Sequence, residues 1–222
     1  VLIWSGFVVV SRMGSTGTLT PYDISALRLG TAALVLAPWW LPRLLIPERR
    51  QLQWYQGLSL ALLAGITYPL ASYIGFQYAP ASHGAVLISG MLPFFTSIFA
   101  GRLLGERPSR ARFLGLTLIL TGVLTLLFTQ MNVQSFGQST LKGDLLLLAA
   151  SCFWSLFTVL IKYWRLKAFD VSLGVTAISA MMYLPVFFLF LPSHLAIAST
   201  QDIALQAFYQ GFIVVCVAMW TY

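Results

Sequence analysis

The residues able to do chemistry in this chain are few, and they lie inside or beside long apolar runs. Arg12, Arg28 and Lys162 are the cations so placed. Aromatic, hydroxyl and proline residues share those runs at helical spacing: Trp4, Tyr68 with Ser72, Ser89 with Pro93, Trp154 with Thr158, and Tyr222. Bond-making chemistry would need a nucleophile beside a base, or a metal-ligand set. There is no His-Glu-x-x-His and no Gly-x-Ser-x-Gly, and the two histidines, His83 and His194, are far apart. Cys152 and Cys216 sit in apolar stretches and read as structural thiols. Neither an enzyme nor a bound cofactor or metal is expected. What remains is non-covalent chemistry. Aromatic rings take planar or cationic solutes, a charge inside a membrane serves as a gate or an anion contact, and an intrahelical proline frees a backbone carbonyl.

Each of these has a plainer reading. Ser82, Ser89, Pro93 and Thr96 fall on one stripe with Ala85 and Ala100, and small residues let helix backbones approach closely. Interfacial anchoring explains membrane Trp and Tyr generally. It suits Trp39, Trp40, Trp54 and Trp164 better than Trp4, Trp154, Tyr68 or Tyr222. For Arg28 the plainer readings are snorkelling to the external face or pairing with Asp23 or Asp144, and for His83 a helix-start hydrogen bond. No Asp or Glu falls at the middle of an apolar span, so no carboxylate proton relay is visible.

The elements that must position these residues are membrane helices. The chain is 59% hydrophobic and 9% charged, against about 45–50% and about 25% in globular domains. Between Leu52 and Gly101 there is no Lys, Arg, Asp or Glu. A spanning helix needs about 20 apolar residues, so this stretch holds two and a hairpin. Eight spans are expected, over about 1–13, 22–41 (closed by Pro42), 56–78, 82–104, 112–129, 144–164, 171–191 and 203–222. The net charge of +7 is divided into clusters between spans and forms no patch for nucleic acid. Arg43, Arg49 and Arg50, then Arg102, Arg107, Arg110 and Arg112, then Lys162, Arg165 and Lys167 follow alternate spans, while the intervening loops carry almost no Lys or Arg. By the positive-inside rule the basic loops and the N-terminus face the cytoplasm. Val1 already lies in an apolar run, and the natural N-terminus is expected to precede it.

An internal repeat organises the spans. Trp4-Ser5-Gly6-Phe7 recurs as Trp154-Ser155-Leu156-Phe157, with Arg12 and Lys162 eight residues after each Trp. Asp23-Ile24-Ser25 recurs as Asp170-Val171-Ser172, with Pro38 and Pro185 fifteen residues on. Tyr55-Gln56-Gly57 recurs as Tyr209-Gln210-Gly211, followed by Tyr68 and Tyr222 at equal distance. The halves are offset by five helices, an odd number, so equivalent helices cross in opposite directions. Inverted repeats of this kind characterise secondary transporters, with the site near mid-membrane between the halves.

These residues also resemble a known family. Leu2-Ile3-Trp4-Ser5 with Arg12, Ala26-Leu27-Arg28, Tyr78-Ala79-Pro80-Ala81-Ser82 with Pro93, and Leu103-Leu104-Gly105-Glu106-Arg107 followed by Gly115 and Gly122 are similar to an EamA repeat of the drug/metabolite transporter superfamily. The resemblance covers the first repeat almost whole and the second over three helices. It implies an all-α membrane protein of ten helices in two inverted five-helix repeats, of which eight are expected here and the second repeat is incomplete. The parts are a first repeat over 1–130, an external linker over 131–142 and a second repeat over 143–222. The implied function is alternating-access movement, commonly export, of small metabolites, amino acids or drug-like compounds across the cell (inner) membrane. The expected partners are a small-molecule substrate and the lipid bilayer, with a homodimer as an option and no nucleic acid. A channel or a non-transporting membrane partner is the alternative. The first, third and fourth helices of each repeat would face the cavity. That places Trp4, Tyr68, Ser72, Ser89, Pro93, Trp154, Thr158 and Tyr222 on its wall, with Arg12, Arg28 and Lys162 as gating or charge residues.

Overall fold

A computed structural model describes residues 2–45, 52–107, 109–131 and 138–217. Eight helices run through them: α1 (Leu2–Thr16), α2 (Pro21–Leu45), α3 (Trp54–Tyr78), α4 (Ala81–Leu103), α5 (Arg110–Met131), α6 (Gln138–Tyr163), α7 (Ala168–Phe190) and α8 (Thr200–Gln206, continuing as Ala207–Val217). No strand occurs among the described residues. Five of these helices are long and apolar enough to cross a membrane: α2 over Pro21–Arg43, α3, α4, α6 over Thr140–Tyr163, and α7.

Some boundaries depart from the sequence expectation. Pro42 does not close α2, which continues to Leu45 with both Pro38 and Pro42 inside it. Side chains support the carbonyls of this distorted stretch: Trp40 Nε1 donates to Ala33 O at 2.8 Å and Arg43 Nη1 to Trp39 O at 2.9 Å. The expected linker 131–142 is partly helical, because α6 begins at Gln138. Helix α8 starts at Thr200, where the Ser199 hydroxyl accepts from Asp202 N at 3.1 Å and caps the first turn.

The packing follows the repeat. Helix α2 packs on α8, the mate of α3, and α3 packs on α7, the mate of α2. Helix α6 lies along both α3 and α4. Lipid offers no hydrophobic force between helices, so close contact and interhelical hydrogen bonds must hold them. The α3–α6 seam shows both terms. At Gly143 a Cβ would lie 2.7 Å from Ala79 N and 2.8 Å from Gly75 O, so only glycine permits the approach. Further along α6, the hydroxyls of Ser151 and Ser155 donate to Ile88 O (2.8 Å) and Leu92 O (3.2 Å) of α4.

Among the described residues three helices widen into π-helical stretches, Ala61–Thr67 in α3, Ala85–Gly90 in α4 and Ala207–Val217 in α8. The first two begin eight residues before a proline, Pro69 and Pro93. Proline has no N–H, so in a five-residue register the carbonyls of Ala64 and Ile88 lose their donor. Ser151 takes over the Ile88 carbonyl.

Candidate functional site

The repeat mates Trp4 and Trp154 meet in the interior with ring centroids 5.6 Å apart, edge to face. Two equivalent residues can touch only next to the axis that relates them. This pair therefore marks the centre of the pseudo-symmetry and the middle of the bundle. Trp154 also meets Tyr68 at 4.7 Å and Phe157 at 5.1 Å, and Phe7 stacks on Tyr68 at 6.0 Å.

Two cavities flank the pair. The larger, about 300 Å³, is lined by Trp4, Arg28, Gly65, Trp154, Phe157 and Thr158, by Ser172 and Thr176 of α7, and by apolar residues of α7 and α8. The smaller, about 160 Å³, is lined by Trp4, Phe7, Tyr68, Ser89, Leu92 and Trp154. Trp4 and Trp154 form the wall common to both. Both cavities also touch widened stretches, the larger at Ala64 and Gly65 of α3 and at Val214 and Val215 of α8, the smaller at Ile88 and Ser89 of α4. Helix widening of this kind recurs at functional sites.

The expected wall residues divide. Trp4, Tyr68, Ser89, Trp154 and Thr158 line one or both cavities. Ser72 is fully buried and donates to Tyr68 O at 2.8 Å within its own helix, away from either cavity. Pro93 is exposed and is on the wall of neither cavity. Thr158, though on the wall, donates to Trp154 O at 2.6 Å. Tyr222 lies outside the described residues.

The three cations have three different settings. Arg12 donates to the carbonyl of Phe76, near the C-terminus of α3, where the helix end attracts positive charge. Lys162 is ion-paired with Glu106. Gly105 makes that pair possible: at φ +68° it turns the chain out of α4 and presents Glu106 to α6. Lys162 and the nearby Arg112 (3.9 Å) hold the Glu106 carboxyl below its ordinary value of 4.5, mainly through the Lys162 hydrogen bond. Arg28 differs from both. It is 5% exposed and lines the larger cavity, and its Cζ lies 5.9 Å from the Phe7 ring centre.

Neither expected carboxylate pairs with Arg28, and it does not snorkel. Asp23 instead accepts from Thr20 N and Oγ1 (2.8 Å each), Ser193 Oγ (2.7 Å) and His194 N (3.0 Å). Asp144 lies 2.7 Å from His83 Nδ1, so His83 makes a buried cross-helix pair. The reason is reach. Asp23 points back to the helix start and the α7–α8 loop, and Asp144 is held against the α3–α4 turn.

Sequence reasoning passed over Tyr73, Gln206 and Gln210. The Gln210 amide donates to Ser11 Oγ at 3.0 Å and accepts from Tyr73 OH at 3.1 Å, while Gln206 Nε2 donates to Val10 O at 3.0 Å. The available signal was a buried-amide type inside an apolar span. Gln210 belonged to the repeated Tyr-Gln-Gly triplet and served only to mark the repeat.

The family described as the EamA-like transporter family matches residues 1–128. Over 163 residues the chain is 27% identical to an uncharacterized transporter of Archaeoglobus fulgidus, a match covering 72% of this chain and 54% of that protein. The chain thus spans about half the length of that relative. A protein crystal structure is similar in fold at a TM-score of 0.65 and 21% identity, over 99% of this chain and 74% of that one.

Proposed function

The chain belongs to the EamA-like transporter family, and on that footing we propose that it serves a secondary transporter exporting small organic solutes by alternating access. The observation that carries this reading is the meeting of Trp4 and Trp154, repeat mates, as the wall between two cavities at the pseudo-symmetry centre. A two-fold arrangement of inverted halves supplies two equivalent rocking states about one fixed site. The larger cavity extends toward the ends of α6 and α7 that carry the basic loop, through Ile161 and Ala168. With that loop cytoplasmic in the cell (inner) membrane, and the N-terminus on the same side, the conformation is the one that loads solute from inside.

The test uses the full-length protein. A thermal-shift screen against metabolites identifies the solute, and reconstituted vesicles measure its flux. Saturable flux whose KM rises roughly tenfold in Trp154→Ala and Tyr68→Ala is the expected result, about the loss of one aromatic contact. Flux that never saturates would make the protein a channel instead.

A further inference from the structure

We propose that the larger cavity binds an organic anion through Arg28: a small solute with an apolar or aromatic body and a carboxylate. The inference rests on the transport reading only in calling that anion the cargo. The binding site stands on its own observations.

The first observation is a charge without a counter-charge among the described residues. The sequence holds six acidic residues, and five are described. Asp23 is taken by Thr20, Ser193 and His194; Glu106 by Lys162 and Arg112; Asp144 by His83; Asp170 by Arg43 at 3.3 Å; and Asp202 by Ser199 at 2.8 Å. Glu48 lies outside the described residues. Arg28 Nη1 has no hydrogen-bond partner among the described residues. Its neighbours are the Phe7 ring, the Tyr68 hydroxyl within electrostatic reach, and the Tyr73 hydroxyl within hydrogen-bonding reach. None of these carries negative charge at neutral pH.

A buried lysine could escape this situation by losing its proton, but an arginine cannot. An uncompensated guanidinium in an apolar interior is strongly unfavourable, so the site is set to gain most from an anion. The second observation is the cavity that Arg28 lines: about 300 Å³, walled also by Trp4, Trp154 and Phe157, by aliphatic side chains, and by the hydroxyl residues Thr158, Ser172 and Thr176. That volume lies at the small end of ligand pockets. A planar carboxylate matches the two-pronged guanidinium, and a flat apolar body matches the rings. Among the described residues no carboxylate lines the cavity to receive an ammonium, and Arg28 repels one. Of the planar or cationic solutes that aromatic rings admit, the site therefore selects planar anions.

The experiment uses the full-length protein in lipid nanodiscs, with phenylacetate as probe, phenylacetamide as its neutral counterpart, and tryptophan fluorescence with calorimetry as readouts. Phenylacetate is expected to bind saturably and at least ~10-fold more tightly than phenylacetamide, the margin of one charge-assisted hydrogen bond. Arg28→Gln should abolish that preference while leaving the weak amide binding. Arg28→Lys, which keeps the charge, guards against a folding failure in Arg28→Gln and should retain part of the preference. Equal binding of acid and amide, an unchanged preference in Arg28→Gln, or no phenylacetate binding by folded protein would each overturn the proposal. Displacement of phenylacetate by equimolar chloride or inorganic phosphate would overturn its organic part. Arg28-dependent binding without flux in vesicles would sink the transport reading and leave the anion site standing. Saturable flux of uncharged solutes with no acid preference would do the reverse.

Discussion

The two ends of the helix bundle use similar polar residues in opposite ways. At the end holding the α1–α2, α3–α4 and α7–α8 turns, the polar groups are buried and multiply bonded. Asp23 gathers the α7–α8 loop, His83 meets Asp144, and Arg12 holds the carbonyl of Phe76. Beneath them, Gln206 and Gln210 tie α8 to α1. At the basic end the pairs are Glu106 with Lys162 and Arg43 with Asp170, and Lys162 is two-thirds exposed. Exposed pairs are weak and screened by salt, whereas a buried group left without its partner is strongly destabilising. One end is a seal and the other a light latch. The cavity between them lies nearer the latch.

Four measurements can break or sharpen this contrast. Asp23→Ala removes the acceptor for four donors at the sealed end and should lower unfolding stability by about 3 kcal/mol in a detergent denaturation titration. A loss as small as that of an ordinary surface substitution would mean the seal is nominal. Gly143→Val drives a branched side chain into the backbone of Ala79 and Gly75, and about 2 kcal/mol should be lost. Asp144→Asn keeps the shape and a hydrogen bond to His83 but removes the charge, and about 1 kcal/mol is expected.

The smallest effect belongs to the latch. Lys162→Gln should leave the melting temperature unchanged and broaden the distance distribution between spin labels at Leu103 and Leu166. The pH dependence of the latch has a definite sign. The Glu106 pKa is lowered when paired, so the link contributes above the ordinary glutamate value and is lost as pH falls through the lowered one. The label distances should therefore hold from about pH 8 to about pH 5 and widen only below the ordinary value of 4.5. Opening at neutral pH in the unmodified protein would show that the latch does not form.

Membrane class, helix count and the pairing of repeat mates were legible in the residues, because lipid forces every spanning segment to be apolar and to satisfy its own backbone. Spacing alone also named the Trp4–Trp154 pair, since an internal repeat identifies equivalent positions without knowing where they lie. The partners of Arg28, Asp23 and His83 were not legible. Which carboxylate reaches which cation depends on helix rotation and on where the α7–α8 loop returns, and no periodicity encodes either. The end of α2 was misread for a similar reason. Proline signals a lost hydrogen bond, but whether the helix stops depends on what supports the surrounding carbonyls, here Trp40 and Arg43. The same holds for the widened stretches before Pro69 and Pro93: the sequence determined that a carbonyl would be freed in each helix, and only the tertiary structure decided that Ser151 meets one while the other belongs to a cavity-lining residue. Local chemistry sets what each residue needs, and packing between the two halves decides what supplies it.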